Sequence, residues 1–208
     1  QPALPSGFPD HWGNDPAKPI AGMSDNWVSA DNQMDPRVTT AANYSGKLMD
    51  ALKSIPSVSL VTNTENWFDT ATGIYSNKLD EGLAWERPVS AELIYADGRP
   101  GFQVNCGVRI QGGTSVDNVT GGWKCMKQSI RLLFKDQYGA PKLHFPLYAD
   151  SPVQEFNSLI LDAHMNNTWH YNGGSDATGQ RRRGDYARDA WMPRLQNAMG
   201  AISTHSLF

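Results

Sequence analysis

Arg87-Pro88-Val89-Ser90-Ala91-Glu92-Leu93-Ile94-Tyr95, a turn at Asp97-Gly98, and then Phe102-Gln103-Val104-Asn105-Cys106-Gly107-Val108-Arg109-Ile110 form the stretch that decides the fold. Apolar and polar residues alternate through both runs, which is the period of a strand with one buried face. Asp-Gly between two such runs is a hairpin signal. In the second run Phe102, Val104, Cys106, Val108 and Ile110 share one face, and Gln103, Asn105 and Arg109 share the other. The pattern predicts an antiparallel β-meander.

The same period recurs on both sides. Residues 127–134 place Ile130, Leu132 and Phe134 alternately with Arg131 and Leu133. Residues 156–162, with Ser158-Leu159-Ile160-Leu161 at their centre, predict a further buried strand, and Val58-Ser59-Leu60-Val61 another. Helical signals are fewer. Ser45 is a plausible N-cap for a helix carrying Leu48, Leu52 and Ile55, which Pro56 ends. Residues 65–68 read as one short helical turn. Near the C-terminus Tyr186, Ala190, Trp191, Leu195, Ala198 and Met199 share a helical face, Gly200 suits the position after the last turn, and Pro193 kinks the helix or marks its first turn. Residues 112–122 predict a long glycine-rich loop, and 173–184 a polar, basic and mobile one. Residues 1–43 are rich in Pro, Asn, Asp and Gly without a sustained period. They read as an extended arm anchored by Phe8, Trp12 and Trp27. The expected class is α+β: a twisted, mostly antiparallel sheet with two principal helices packed on it and a long N-terminal arm before a body over 44–208.

Composition bounds the function. With 208 residues, 39% hydrophobic and 19% charged, the chain can bury a core and is not a disordered polymer. Eighteen basic against 21 acidic residues leave a formal charge of −3, so no general basic field exists to recruit nucleic acid. No apolar run is long enough to span a membrane. Two cysteines cannot make a disulfide scaffold.

Several residue groups carry possible chemistry, each with a plainer alternative. The glycine-rich loop can cradle a phosphate or simply connect two strands, and it does not match the Walker A spacing. Asp162-Ala163-His164, with His170 beyond, combines carboxylate and imidazole donors, the types that ligate metals; the alternative is hydrogen bonding at a strand end. Asn166-Asn167-Thr168-Trp169-His170 is a polar, aromatic loop of the kind that carries function. Arg181-Arg182-Arg183 is too short a basic run to indicate nucleic acid. Glu65, Glu86 and Glu92 show no pairing that defines glycosidase chemistry, and no Gly-x-Ser-x-Gly elbow accompanies the serines.

Five separated motifs carry a family resemblance: Trp85-Glu86-Arg87-Pro88-Val89-Ser90-Ala91-Glu92-Leu93-Ile94; Gly101-Phe102-Gln103-Val104-Asn105-Cys106-Gly107-Val108-Arg109-Ile110-Gln111-Gly112-Gly113; Lys127-Gln128-Ser129-Ile130-Arg131-Leu132-Leu133-Phe134-Lys135; Phe145-Pro146-Leu147; and Tyr186-Ala187-Arg188-Asp189. Over roughly residues 35–205 the chain resembles the N-terminal part of the spore-coat protein H (CotH) kinase-like family, in its large environmental bacterial branch. The resemblance implies a kinase-like N-lobe and a role in ATP-dependent protein phosphorylation, with ATP and Mg²⁺ as cofactors. It implies that Lys127, then Arg109 and Arg131, face the phosphates, that Gly112, Gly113 and Ser115 let backbone N–H groups approach them, and that Arg188-Asp189 opens a helix beside the nucleotide. In the family pattern the carboxylates that hold Mg²⁺ and position the acceptor come after Phe208. The chain therefore reads as an N-terminal portion, truncated at its C-terminal end, and phosphoryl transfer is not expected from it alone.

Two other readings stand beside this one. The first is a secreted carbohydrate-associated module or hydrolase, with some of the tryptophans stacking on sugars. The second is a non-catalytic structural domain. The expected partner is accordingly a protein or a polysaccharide. Cys106 and Cys125 depart from the family pattern; a disulfide between them would clip the glycine-rich loop and suit a secreted or cell-surface bacterial protein.

Overall fold

A computed structural model describes residues 8, 11–12, 28–29, 34, 36–112, 128–149, 151–164 and 187–206. The elements are β1 (His11–Trp12), β2 (Val28–Ser29), α1 (Pro36–Thr39), a 3₁₀ turn (Ser45–Lys47) leading into α2 (Leu48–Lys53), β3 (Ser57–Val61), α3 (Thr64–Phe68), a second 3₁₀ turn (Leu83–Trp85), β4 (Arg87–Ile94), β5 (Gln103–Gln111), β6 (Ser129–Leu133), β7 (Leu143–His144), β8 (Glu155–Phe156), β9 (Ser158–Leu161) and α4 (Arg188–Ala198). Five strands form one sheet in the order β3-β4-β5-β6-β9, every neighbouring pair antiparallel. The expected α+β class with a mostly antiparallel sheet is what the chain adopts.

The register explains why. Val89 lies opposite Cys106, Ala91 opposite Val104, Val108 opposite Leu132, and Ile130 opposite Leu161. The apolar positions of four strands thus fall on one face and build the core around Val89, Ala91, Cys106, Val108, Leu132 and Phe134. Ile74 and Trp67, from the α3 region, and Leu143, Phe145 and Phe156, from the β7–β8 ladder, cover that face. Phe102 meets Phe145 edge-on at 5.3 Å between ring centroids. From the N-terminal region, the Phe8 ring packs on Phe68 at 5.2 Å, and β1 pairs with β2.

Three expectations are corrected. Cys106 is a free thiol, fully buried in the core, so it is not in a disulfide. Its parity in β5 turns it inward, where burial pushes its pKa up to about 11; Cys125 lies outside the described residues. β9 is an edge strand rather than a buried one, with Ile160 54% exposed. Ser45 does not cap a helix; it opens a 3₁₀ turn, and α2 buries no residue.

The helices also contribute less to the core than their periodicity suggested. In α4 only Ala190 is buried, while Trp191 is 60% and Met199 78% exposed. Gly200, at φ 82°, does sit just past its end, in the left-handed conformation that closes a helix. Pro193 lies inside α4. Among the described residues no helix is long and apolar enough to cross a membrane.

Gly107 makes room for Tyr138. A Cβ at this position would lie 2.5 Å from the Tyr138 ring, so the missing side chain is what lets that ring lie against β5. Gly107→Ala is expected to cost about 1–3 kcal/mol by overpacking. Urea denaturation checks this, and an unchanged midpoint would show that the ring moves aside freely.

Candidate phosphate and metal site

The face opposite the core carries the charged groups. Arg109 on β5 and Arg131 on β6 are direct cross-strand partners, and Gln111 and Ser129 are the next pair along. Two like charges facing each other across a ladder repel. Arg131 donates to Ser158 Oγ, at 3.2 Å from one terminal nitrogen and 3.4 Å from Nε. No carboxylate among the described residues forms an ion pair with it. Arg109 has one such partner, Glu86, at 3.9 Å. The pair is therefore under-neutralised and has unused donors, the arrangement that suits an anion.

Glu86 anchors one end of this face. Its side chain is 1% exposed, yet both carboxylate oxygens are satisfied. Lys135 Nζ donates to them at 2.7 and 2.9 Å, and Tyr138 Oη donates at 3.1 Å. Burial, with the nearby Glu86 carboxylate adding to it, pushes the Tyr138 phenol pKa up, although a hydrogen bond with Gln137 opposes the shift. Lys135 takes most of the Glu86 charge, which leaves Arg109 closer to a free cation.

At the other end the chain leaves β9 through Asp162-Ala163-His164. Asp162 Oδ1 accepts from Ser129 Oγ at 2.9 Å and from the His164 N–H at 3.0 Å. Ser129 Oγ in turn accepts from the Ala163 N–H at 2.9 Å. His164 holds φ at 53°, a left-handed conformation that side chains with a Cβ seldom adopt. This turn brings the ring back: Nδ1 lies 3.8 Å from Asp162 Oδ2 and 3.2 Å from Asp189 Oδ2 in the first turn of α4. Donor atoms of the three side chains all lie within 4.8 Å of one another. Ser129, which holds Asp162, and Arg131 are two apart on β6 and share a sheet face, about 7 Å along the strand.

The structure thus brings together Arg109 with Arg131, and Asp162 with His164 and Asp189. Gly112 follows β5 directly with φ at 130°. Arg188 is the exposed first residue of α4. Lys127, Gly113, Ser115 and His170 lie outside the described residues, as does all of 113–127 and 165–186. The sequence reading assigned Asp189 to the nucleotide helix and missed that it meets Asp162, because 27 residues separate them and no local period links them. It also missed the Glu86–Lys135–Tyr138 cluster. The one available signal was a glutamate placed just before a strand, on the parity of its polar face. Of the tryptophans, Trp67 and Trp85 pack against the core and Trp191 is exposed.

Comparison of the chain with protein-family models, with curated proteins and with solved structures finds no match.

Proposed function

We propose that the polar face of the sheet binds the phosphates of a nucleoside polyphosphate, with ATP·Mg²⁺ the expected ligand, as the N-lobe of a kinase-like protein would. The observation that carries this reading is the cross-strand pair Arg109–Arg131, with Arg131 lacking an ion-pair partner among the described residues. A phosphate placed between the two guanidinium groups relieves their repulsion and uses their free donors. The resemblance of the Arg109 and Arg131 segments to a kinase-like family supports the same assignment and adds Lys127. The proposed role is binding. Transfer of the phosphoryl group needs acceptor-positioning carboxylates that no residue here is assigned to supply.

Titration of the chain with Mg-ATP, followed calorimetrically and by thermal shift, tests this. Micromolar to millimolar binding is expected. Arg131→Gln should weaken it about tenfold or more, the worth of a charge-assisted hydrogen bond. AMP should bind less well than ATP. No heat and no shift at millimolar Mg-ATP, or equal affinity in Arg131→Gln, would remove the reading.

A further inference from the structure

We infer that Asp162, His164 and Asp189 form a resident divalent-metal site that prefers a first-row transition ion, Zn²⁺ above all and Mn²⁺ after it, to Mg²⁺. The inference concerns the metal alone and does not require the nucleotide.

Three features separate this cluster from an ordinary acidic surface patch. The donors are of two chemical classes, two carboxylates and an imidazole, and they come from two elements, the β9 exit and α4. One donor pair already has the spacing of a coordination shell, and the third group needs a side-chain shift of a few tenths of an ångström or more to join it. Ligand atoms at ~2.1 Å from one ion lie about 3.0–3.4 Å apart in octahedral or tetrahedral geometry. Here the imidazole nitrogen is 3.2 Å from one carboxylate oxygen and 3.8 Å from the other. Finally, Asp162 is pre-oriented. Its Oδ1 is occupied by Ser129 Oγ and the His164 N–H, and the Oδ2 that remains is the oxygen nearest the ring. Outer contacts of this kind fix a ligating oxygen in direction.

The chemistry selects the ion. Two carboxylates and a neutral imidazole carry two negative charges, which a divalent cation balances. An imidazole nitrogen favours Zn²⁺ and its first-row neighbours, Mn²⁺ least among them, whereas Mg²⁺ prefers oxygen and water. On binding, the ion takes the Nδ1 lone pair and the ring keeps its proton on Nε2. Three protein donors leave coordination positions for water or for an anion. Arg131 stands two residues from Ser129 on the same face of β6.

The test uses the intact chain, freed of metal by chelation and without nucleotide. Mn²⁺ binding is followed by loss of the free-ion electron paramagnetic signal, and Zn²⁺ and Mg²⁺ binding by calorimetry. One Mn²⁺ or Zn²⁺ per chain is expected, at least tenfold tighter than Mg²⁺. His164→Asn retains a residue that tolerates left-handed backbone but removes the imidazole. It should weaken Mn²⁺ and Zn²⁺ at least tenfold while changing Mg²⁺ little. Asp189→Asn, on the separate helix, should weaken all three ions. Co²⁺ added to the wild-type chain gives a second readout, since its visible spectrum reports an imidazole ligand that His164→Asn should remove. No stoichiometric ion, or unchanged affinity in both variants with the fold intact by circular dichroism, would overturn the site. Arg131→Gln should leave metal binding intact, so a failed phosphate site and a failed metal site give different results.

Discussion

Glu86→Ala is expected to destabilise the fold by about 3–5 kcal/mol, the usual result of removing one partner from a buried ion pair. Glu86 is the most buried charge on the polar face, and three groups converge on it: Lys135, Tyr138 and, at 3.9 Å, Arg109. Without the carboxylate, two cations and a phenol donor face one another at the edge of the core. The side chains of Lys135 and Arg109 retain some exposure and can turn toward water, which sets the effect nearer the lower bound. In a chain of this size each kcal/mol moves the melting temperature by about 2–4 °C. A fall of about 10 °C is therefore expected in a thermal melt. Glu86→Gln keeps the shape and the acceptor oxygen, so its loss should be smaller. A fall of under ~2 °C for Glu86→Ala would mean that the cluster is solvated and contributes nothing net.

The second large effect is a dependence of stability on pH set by Lys78. Burial lowers its pKa from the ordinary 10.5 to about 6. Between these two values the unfolded chain holds a proton that the folded chain has released. The unfolded state binds more protons there, so stability rises with pH through the window, by up to about 1.4 kcal/mol per pH unit. Below pH ~6 both states are charged and the full burial penalty applies; above pH ~10.5 both are neutral and it vanishes. Cys106 acts with the opposite sign, but only above its ordinary value of 9.0, where the unfolded thiol ionises first. The interval from about pH 7 to 9 thus isolates the lysine. Urea denaturation across it should show the unfolding free energy rising by about 2–3 kcal/mol. Lys78→Met should flatten the rise and leave the protein a few kcal/mol more stable near pH 7. Parallel slopes for wild type and Lys78→Met would exclude this origin.

The sheet was legible in advance because strand pairing preserves parity. Once Val104, Cys106, Val108 and Ile110 are recognised as one face, the partners Val89, Ala91, Ile130 and Leu132 follow from the same period. The Asp97-Gly98 turn needed only local chemistry: Gly98 takes φ 76°, and its N–H donates to the Tyr95 carbonyl. The helices were less legible. Helical spacing in Leu48, Leu52 and Ile55 predicts an apolar face but not that anything covers it, and Leu52 and Ile55 remain exposed.

Of the functional groups, the sequence alone placed Arg109 and Arg131 on the polar side of their strands, and marked Asp162 and His164 as a possible ligand pair. Both follow from spacing within a few residues, where backbone geometry leaves little choice. Their meeting partners were decided only in three dimensions. Arg109 faces Arg131 because β5 and β6 pair in one register out of several. Asp189 joins Asp162 and His164 because the start of α4 lies at the end of β9, and Lys135 and Tyr138 reach Glu86 across 49 and 52 residues. Contacts at such separations are set by how the whole chain closes on its core. Alternation along a strand is set by each residue and its neighbours, and can be read before the chain folds.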